Sequence, residues 1–335
     1  MDAEPRAELA AYLRELAGWC DEVIVVDGSA PELFAGNAAA WPPRVRQLAP
    51  DPAHACLNAK VAGVHTGVEA ARNEHVVLAD DDVRYGPEEL ARVAALLGTH
   101  DLVQPQNVFE PLPWHARWDI ARTLLNRSLG ADYPGTLAVR RSRFAAMGGY
   151  DGDVMFENLE LIRTVRAHGG RVAAPLDLYV RRIPPSAAHF RGQRVRQAYD
   201  DLALPLRLVC WVAVLPLAAA ALARRRARWI GYGSVALIAL AERGRRRGDG
   251  ARAFPAGCSL LAPVWVLERG VCIWLALLQR ARYGGVRYGE TTIPTAAHSL
   301  RALRRRARER ASEPDGEAAQ SSSAATSRLA APLSA

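Results

Sequence analysis

Apolar residues at Leu9, Tyr12, Leu13 and Leu16 recur at helical spacing and predict an amphipathic helix over residues 6–18. Val23 to Val26 is a continuous β-branched run that ends in Asp27-Gly28-Ser29. Such a run suits a short strand covered on both faces, as in a parallel sheet. Residues 31–57 are rich in proline and alanine and carry only weak patterning. Helical spacing returns over 58–72 despite Gly63 and Gly67. A second buried strand, Val76 to Ala79, ends in Asp80-Asp81-Asp82. Pro87 opens a helix to about Leu97, and residues 101–106 read as a third short strand. This alternation predicts an α/β fold with a mainly parallel sheet. In such sheets ligands sit beyond the carboxyl ends of the strands, where Asp27 and the aspartate triplet both fall.

The pattern changes after residue 200. Leu208 to Ala223 is an uncharged run of 16 residues, roughly 24 Å long as a helix and able to span a hydrocarbon core if residues 202–206 join it and Arg207 snorkels. A shorter run covers 229–241, and a third covers 254–278, interrupted by Glu268-Arg269. Arginine clusters at 224–228 and 243–247 follow the first two runs, and tryptophans 211, 229, 265 and 274 lie near run ends. That combination favours a membrane interface over a soluble helical domain. Three spans, or two spans with a re-entrant or interfacial third segment, both fit. Glu268-Arg269 is costly in lipid unless paired or facing a cavity, so it marks where the last run leaves the bilayer.

Composition adds where the charge sits. The 335 residues are 50% hydrophobic, too apolar for a largely disordered chain. The net charge of +8 is uneven: residues 1–200 carry 22 basic and 26 acidic groups, a net of −4, and residues 201–335 carry 21 and 9, a net of +12. All the basic residues but Lys60 are arginine. Arginine flanking apolar runs fits anionic lipid better than nucleic acid, since the clusters lack interleaved stacking aromatics. The five cysteines form no CxxC pair, which predicts reduced thiols and neither a disulfide framework nor a zinc site. The first helix has no apolar leader core, which places the first domain in the cytoplasm.

The aspartate triplet carries the strongest chemical signal. Carboxylates crowded at a strand end repel one another, and hard oxygen ligands suit Mg²⁺ or Mn²⁺, which can bridge a diphosphate. Alone, the triplet also reads as a solvated turn ahead of the Pro87 helix.

Further segments follow in order: Tyr133-Pro134-Gly135-Thr136, AVRRSRFAAMGGYD, MFENLELIRTVRAHGG and HFRGQRVRQAY. Taken with Asp27 and the triplet, residues 6–200 resemble the family 2 glycosyltransferases of GT-A fold, in particular the membrane-bound branch similar to ceramide glucosyltransferase. The resemblance implies that Asp27 contacts the nucleotide and that Asp80 and Asp82 bind the metal and the sugar diphosphate. It implies an acceptor-side loop at Gly135, Arg140, Arg141, Gly148 and Gly149. Gln193, Arg194 and Arg196 stand where a Q/RxxRW motif closes over the diphosphate, without its tryptophan. Their arginines otherwise read as a basic stripe for lipid. The family's Glu-Asp pair stands here as Glu157-Asn158, and asparagine cannot accept a proton at neutral pH. The base is then Glu157, or Glu160 three residues on; otherwise Glu157 caps its helix and Glu160 pairs with Arg163. His189 is a secondary candidate. Family members open with a strand of the type VSVVIPxxNE, whereas this chain enters at the following helix: either the start codon is set too late or the sheet lacks its first strand.

The expected organisation is a GT-A-like α/β domain over 1–200, a helical membrane region over 201–285, a basic juxtamembrane segment over 286–310 and a disordered tail over 311–335. The expected function is inverting, metal-dependent transfer from a UDP- or GDP-sugar to a lipid or membrane-proximal glycan, with Glu157 deprotonating the acceptor and Asp82 on the metal. The alternatives are a polysaccharide-extending transferase, for which the spans are few, and a non-catalytic membrane-anchored scaffold.

Overall fold

The computed structural model describes residues 3–289 and 291–312; the tail expected to be disordered lies almost wholly outside them. The first third runs α1 (Ala3–Trp19), β1 (Val23–Val26), α2 (Pro31–Ala40), β2 (Val45–Leu48), α3 (Ala59–Ala70), β3 (His75–Ala79), β4 (Val83–Arg84) and α4 (Pro87–Leu97). Then come β5 (Leu102–Val103), β6 (Gln106–Phe109), α5 (Trp114–Leu129), β7 (Thr136–Arg140), α6 (Arg141–Ala146), α7 (Glu157–Ala167), β8 (Val172–Ala173), β9 (Tyr179–Arg182) and α8 (Ala187–Tyr199). The rest is α9 (Pro205–Ala223), α10 (Arg228–Arg246), α11 (Gly250–Ala253), α12 (Gly257–Leu260), α13 (Ala262–Tyr283), β10 (Val286–Tyr288), β11 (Thr291–Ile293) and α14 (Leu300–Ser312).

Local chemistry explains the helices that the pattern showed. Asn58 caps α3 by accepting from the Lys60 amide, and Pro87 sits at the first position of α4 with Glu89 reaching back to the Gly86 amide. The weakly patterned stretch 31–57 is in fact ordered. Pro31 starts α2, and β2 pairs with β1 in parallel, Val23 opposite Val45. Alanines give α2 helix propensity without an apolar stripe, which is why no period marked it.

The sheet is mixed, not mainly parallel. β7 is antiparallel to both β3 and β5, β5 is parallel to β8, and a separate sheet orders β4-β9-β6. The third expected strand is two: β5 and β6 join different sheets around Gln104-Pro105. Two-residue strands carry too few positions for alternation to show. The main core joins α3, α6 and α7 to one face of β3 and β7 through Val61, Val68, Leu137, Val139, Phe144 and Leu161. A second cluster packs Val93 and Leu97 of α4 against the other face, at Val77 and Ala138.

Of the three apolar runs, two form helices long and apolar enough to cross a membrane: α9, with mean hydropathy 2.1 and none of it buried, and α13, with 1.3 and 44% buried. The middle run is instead α10, which lies on α5. Its Gly244 sits so close that an added Cβ would come within 1.8 Å of Leu124 O. Charges in the last run are paired: Glu268 accepts from Arg194 at 2.7 Å and from Trp118 Nε1 at 2.5 Å, and Arg269 lies 3.6 Å from Asp201. The segment expected beside the membrane turns back onto the first domain. There α14 packs on α7, with Leu303 buried, and Arg306 binds Asp151 at 3.1 Å. All five cysteines are free, as their spacing implied.

Candidate active site

The carboxyl end of β3, the start of α7 and the end of β9 meet around two cations. Lys60, in the first turn of α3, places Nζ 2.6 Å from Asp80 Oδ1 and 2.7 Å from Glu157 Oε1. Arg182 donates from Nε to Asp82 Oδ2 at 2.9 Å and lies 3.3 Å from Asp80 Oδ2. Gly135 is the residue that lets this cluster close, since a Cβ there would sit 2.7 Å from both Asp80 Oδ2 and the Arg182 guanidinium. Asp81, the middle member of the triplet, points to solvent.

Three carboxylates face two cations, a formal sum of −3 + 2 = −1. Burial pushes the Glu157 carboxyl above its ordinary range, more than the Lys60 ammonium beside it pulls it down. The Asp82 carboxyl is also raised by burial, against the pull of Arg182. For Lys60 burial favours the neutral amine, but Glu157 and Asp80 outweigh it and hold the ammonium charged. Asp82 Oδ1 is shut from solvent and has no hydrogen-bond partner. An unpartnered carboxylate oxygen within a net negative cluster of hard donors fits a divalent cation.

A cavity of about 1490 Å³ opens on this cluster. One face of α8 lines it with His189, Gln193, Arg196 and Gln197, and Asp200 just past its end continues the helical spacing into the cavity. Arg194 points the other way. It is buried against Glu268 and Asp119, at 2.7 and 2.9 Å, and ties α8 to α13 and α5. Of the three residues expected over the diphosphate, the structure therefore brings two to the cavity.

Other expected residues divide similarly. Both carboxylate oxygens of Asp27 are occupied, by the Ser29 amide at 2.9 Å and by Asn37 and Gln47 at 2.8 and 2.9 Å. Burial raises its pKa, but these donors outweigh it and hold the carboxyl below its usual range. Asp27 thus shapes the loop, and its neighbour Gly28 lines the cavity. Gly135 lies at the site, but Arg140 sits at the opposite end of β7, bound to Glu74 at 3.0 Å, with Arg141 next to it. Gly148 and Gly149 adopt φ of +67° and +71°, and Gly149 rests on the His65 ring. Glu160 is fully buried and accepts from the His298 amide at 2.7 Å and His298 Nδ1 at 2.9 Å, with Asp151 alongside. It fastens the segment before α14 to α7 and does not reach the cavity, which separates it from Glu157.

Three residues at the site escaped the sequence reading: Lys60, Arg182 and Asp200. Lys60 had a visible signal as the only lysine, and Asp200 continues the helical spacing of Gln193 and Arg196 by one turn. Nothing local marks Arg182, which reaches Asp82 only through the pairing of β9 with β4.

Residues 27–106 match the model of the family described as Glycosyl transferase family 21. That match sets the enzyme class: glycosyl transfer. Family 2, the label of the resemblance, is not the one that matches. The matched stretch runs from Asp27 through the aspartate triplet to β6. Among solved structures the chain is similar to a mannosyltransferase from Pyrobaculum calidifontis, in complex with GDP-Man and Mn²⁺. The two share 16% identity over 80% of this chain and 84% of that one, with a TM-score of 0.44. No curated protein matches the chain.

Asp200 is the clearest titrating group at the site. Its Oδ1 is shut from solvent without a partner, and burial, with Asp201 beside it, pushes the carboxyl up to about 8. In the unfolded chain an aspartate ionises near pH ~4, so the folded state keeps its proton longer and loses stability as pH rises from there to about 8. Asp200→Asn removes that loss. Its melting temperature is expected to exceed the parent's at pH 8 and to match it near pH 4, measured by thermal unfolding at both values.

Proposed function

We propose that this chain is a metal-dependent, inverting glycosyltransferase that moves a sugar from a UDP- or GDP-sugar to a lipid or membrane-proximal glycan. The observation that carries the reading is the pairing of Asp80 and Glu157 on one half-buried ammonium, beside an unpartnered Asp82 oxygen. Asp80 and Asp82 are the residues to hold Mg²⁺ or Mn²⁺, which when bound supplies Lewis-acid neutralisation of the diphosphate. The mannosyltransferase named above holds Mn²⁺ and GDP-Man.

In this reading Glu157 takes the proton from the acceptor hydroxyl as its oxygen bonds to the anomeric carbon. The bond from that carbon to the diphosphate oxygen breaks at the same time, and the electron pair leaves with the nucleotide. With Glu157 as the base and the acceptor oxygen as the nucleophile, the step is a single displacement that inverts the anomeric centre. Lys60 pulls the Glu157 carboxyl down against the larger effect of burial, and so acts as a positioning residue for the base. Arg182 and Arg196 bear positive charge toward the departing phosphates, for which the guanidinium fork is suited.

The acceptor class rests on the exposed apolar surface. Leu206, Val209, Leu217 and Leu222 on α9, with Leu267, Trp274 and Leu278 on α13, face outward. The same end of the molecule is joined to the cavity through Arg207 and Arg269, which line it. An acceptor with an acyl tail could lie along these helices with its hydroxyl near Glu157. This surface also supports attachment to the cytoplasmic side of a cell membrane, with α9 and α13 as spans or one of them lying in the interface.

Four results test the reading. With Mn²⁺ and UDP- or GDP-sugars, Glu157→Gln is expected to lower transfer or donor hydrolysis by about 10²–10⁴-fold while donor binding persists. Asp82→Asn is expected to lose metal dependence. Lack of donor binding and turnover by the unmutated chain would defeat the proposal. Lys60→Met is expected to shift the acidic limb of the pH–rate profile upward, because Glu157 without its ammonium must be deprotonated at higher pH. An unmoved limb would remove the role given to Lys60. Alkaline carbonate washing of membranes should leave the protein in the pellet; release into the supernatant would rule out spans.

A further inference from the structure

Two arginines stand where the cavity meets the apolar helices, and the reaction proposed above gives neither of them a task. Arg207 lies in the first turn of α9 and Arg269 within α13, and both line the cavity that also holds Glu157. Arg207 reaches Asp201, just past the end of α8, at 3.1 Å. Arg269 is only 3% exposed, and its Nε and Nη1 have no hydrogen-bond partner. Asp201 Oδ2 lies 3.6 Å from Nη1, close enough to attract but too far for a hydrogen bond. The flat side of the guanidinium rests on the Trp265 ring, 4.9 Å from its centre.

This arrangement is incomplete as it stands. A guanidinium stays charged when buried. Held in an apolar helix with unused donors, it loses hydration and gains too little in return. Asp200 does not supply the missing charge. Burial, with Asp201 beside it, pushes that carboxyl up to about 8, so at neutral pH it keeps its proton and is a donor itself. Its Oδ1 also lacks a partner. Two guanidinium groups therefore share one ionised carboxylate, Asp201, and donors are left over. An anion with several oxygen acceptors fits them.

The surroundings distinguish the source of that anion. Leu206, next to Arg207, is exposed, and so is Leu267, two residues before Arg269. A charged group bound here has outward-facing apolar helix within one turn of it. Phospholipids present that juxtaposition, a phosphate beside acyl chains, and basic pockets between apolar helices suit their headgroups. A neutral lipid would leave both guanidinium groups unmet.

We infer that the Arg207–Arg269 end of the cavity is a phosphodiester subsite, and that the acceptor is an anionic phospholipid whose headgroup carries a hydroxyl beyond its phosphate. Arg269 and Arg207 hold the phosphate, the acyl chains follow α9 and α13, and the hydroxyl is left in the cavity with Glu157. The acceptor role rests on the transfer reaction proposed above; the subsite does not.

The full chain in nonionic detergent, titrated with dioctanoyl phosphatidylglycerol, tests it. Its melting temperature is expected to rise with this lipid and to stay unchanged with dioctanoylglycerol or inorganic phosphate. Calorimetric titration should show binding weakened about 10-fold or more in Arg269→Gln and in Arg207→Gln. The second variant, at the rim of the junction, serves if the first does not fold. Arg226→Gln and Arg243→Gln, on exposed arginines outside the cavity, should bind as the parent does. An equal rise with dioctanoylglycerol or with inorganic phosphate, or an equal loss in the two surface variants, overturns the subsite. Lipid binding without turnover of UDP- or GDP-sugars would sink the transfer reaction and leave the subsite standing. Transfer to dioctanoylglycerol as fast as to the phospholipid, in the parent and in Arg269→Gln alike, would do the reverse.

Discussion

Lys60 holds one positive charge between carboxylates that arrive from two other parts of the chain, Asp80 from the end of β3 and Glu157 from the start of α7. The site depends on this contact. Without the ammonium, the Asp80 and Glu157 carboxylates would face each other with no cation between them, and their repulsion would disfavour the arrangement. With it, the two carboxylates are held together at the mouth of the cavity, and the first turn of α3 is fixed against the first turn of α7. Arg182 repeats the arrangement on the other side of Asp80 and brings Asp82 into register.

The same rule of paired charge joins the α/β half to the apolar half. Arg194 reaches Glu268 and Asp119, and Asp201 receives both Arg207 and Arg269. These groups lie at the junction of α8 with α13, so the last apolar helix is bound to the first domain by buried ion pairs as well as by Leu159, Tyr199 and Ile273. Helix α9, by contrast, leaves its large apolar residues outside. This ion-paired junction stands beside the exposed apolar surface on which the proposed acceptor class rests.

Much of the framework was legible in the chain. The run Val23–Val26, the run ending in the aspartate triplet, the helix opened by Pro87 and the apolar helices after residue 200 all fell near their expected places, because burial on both faces and helical spacing leave local marks. Residues 31–57 hid α2 and β2, since an alanine helix has no stripe and a four-residue strand no alternation. The candidate site was half legible. Asp80, Asp82, Glu157, Gln193 and Arg196 do gather at one cavity, whereas Arg140 and Arg194 spend their charge on Glu74, Glu268 and Asp119 elsewhere.

Composition and order thus determined by themselves that acidic groups would stand at strand ends in an α/β half and that an arginine-flanked apolar half would follow. Which charge meets which was decided only in three dimensions. A guanidinium next to Gln193 in sequence lies about 100° around the helix from it, enough to move Arg194 from the cavity to the α13 junction. Arg182 is 100 residues from Asp82, and they meet only because β9 pairs with β4. Periodicity is a local property and can be read along the chain. Ion pairing is set by distances between segments, which exist only once the strands and helices have packed.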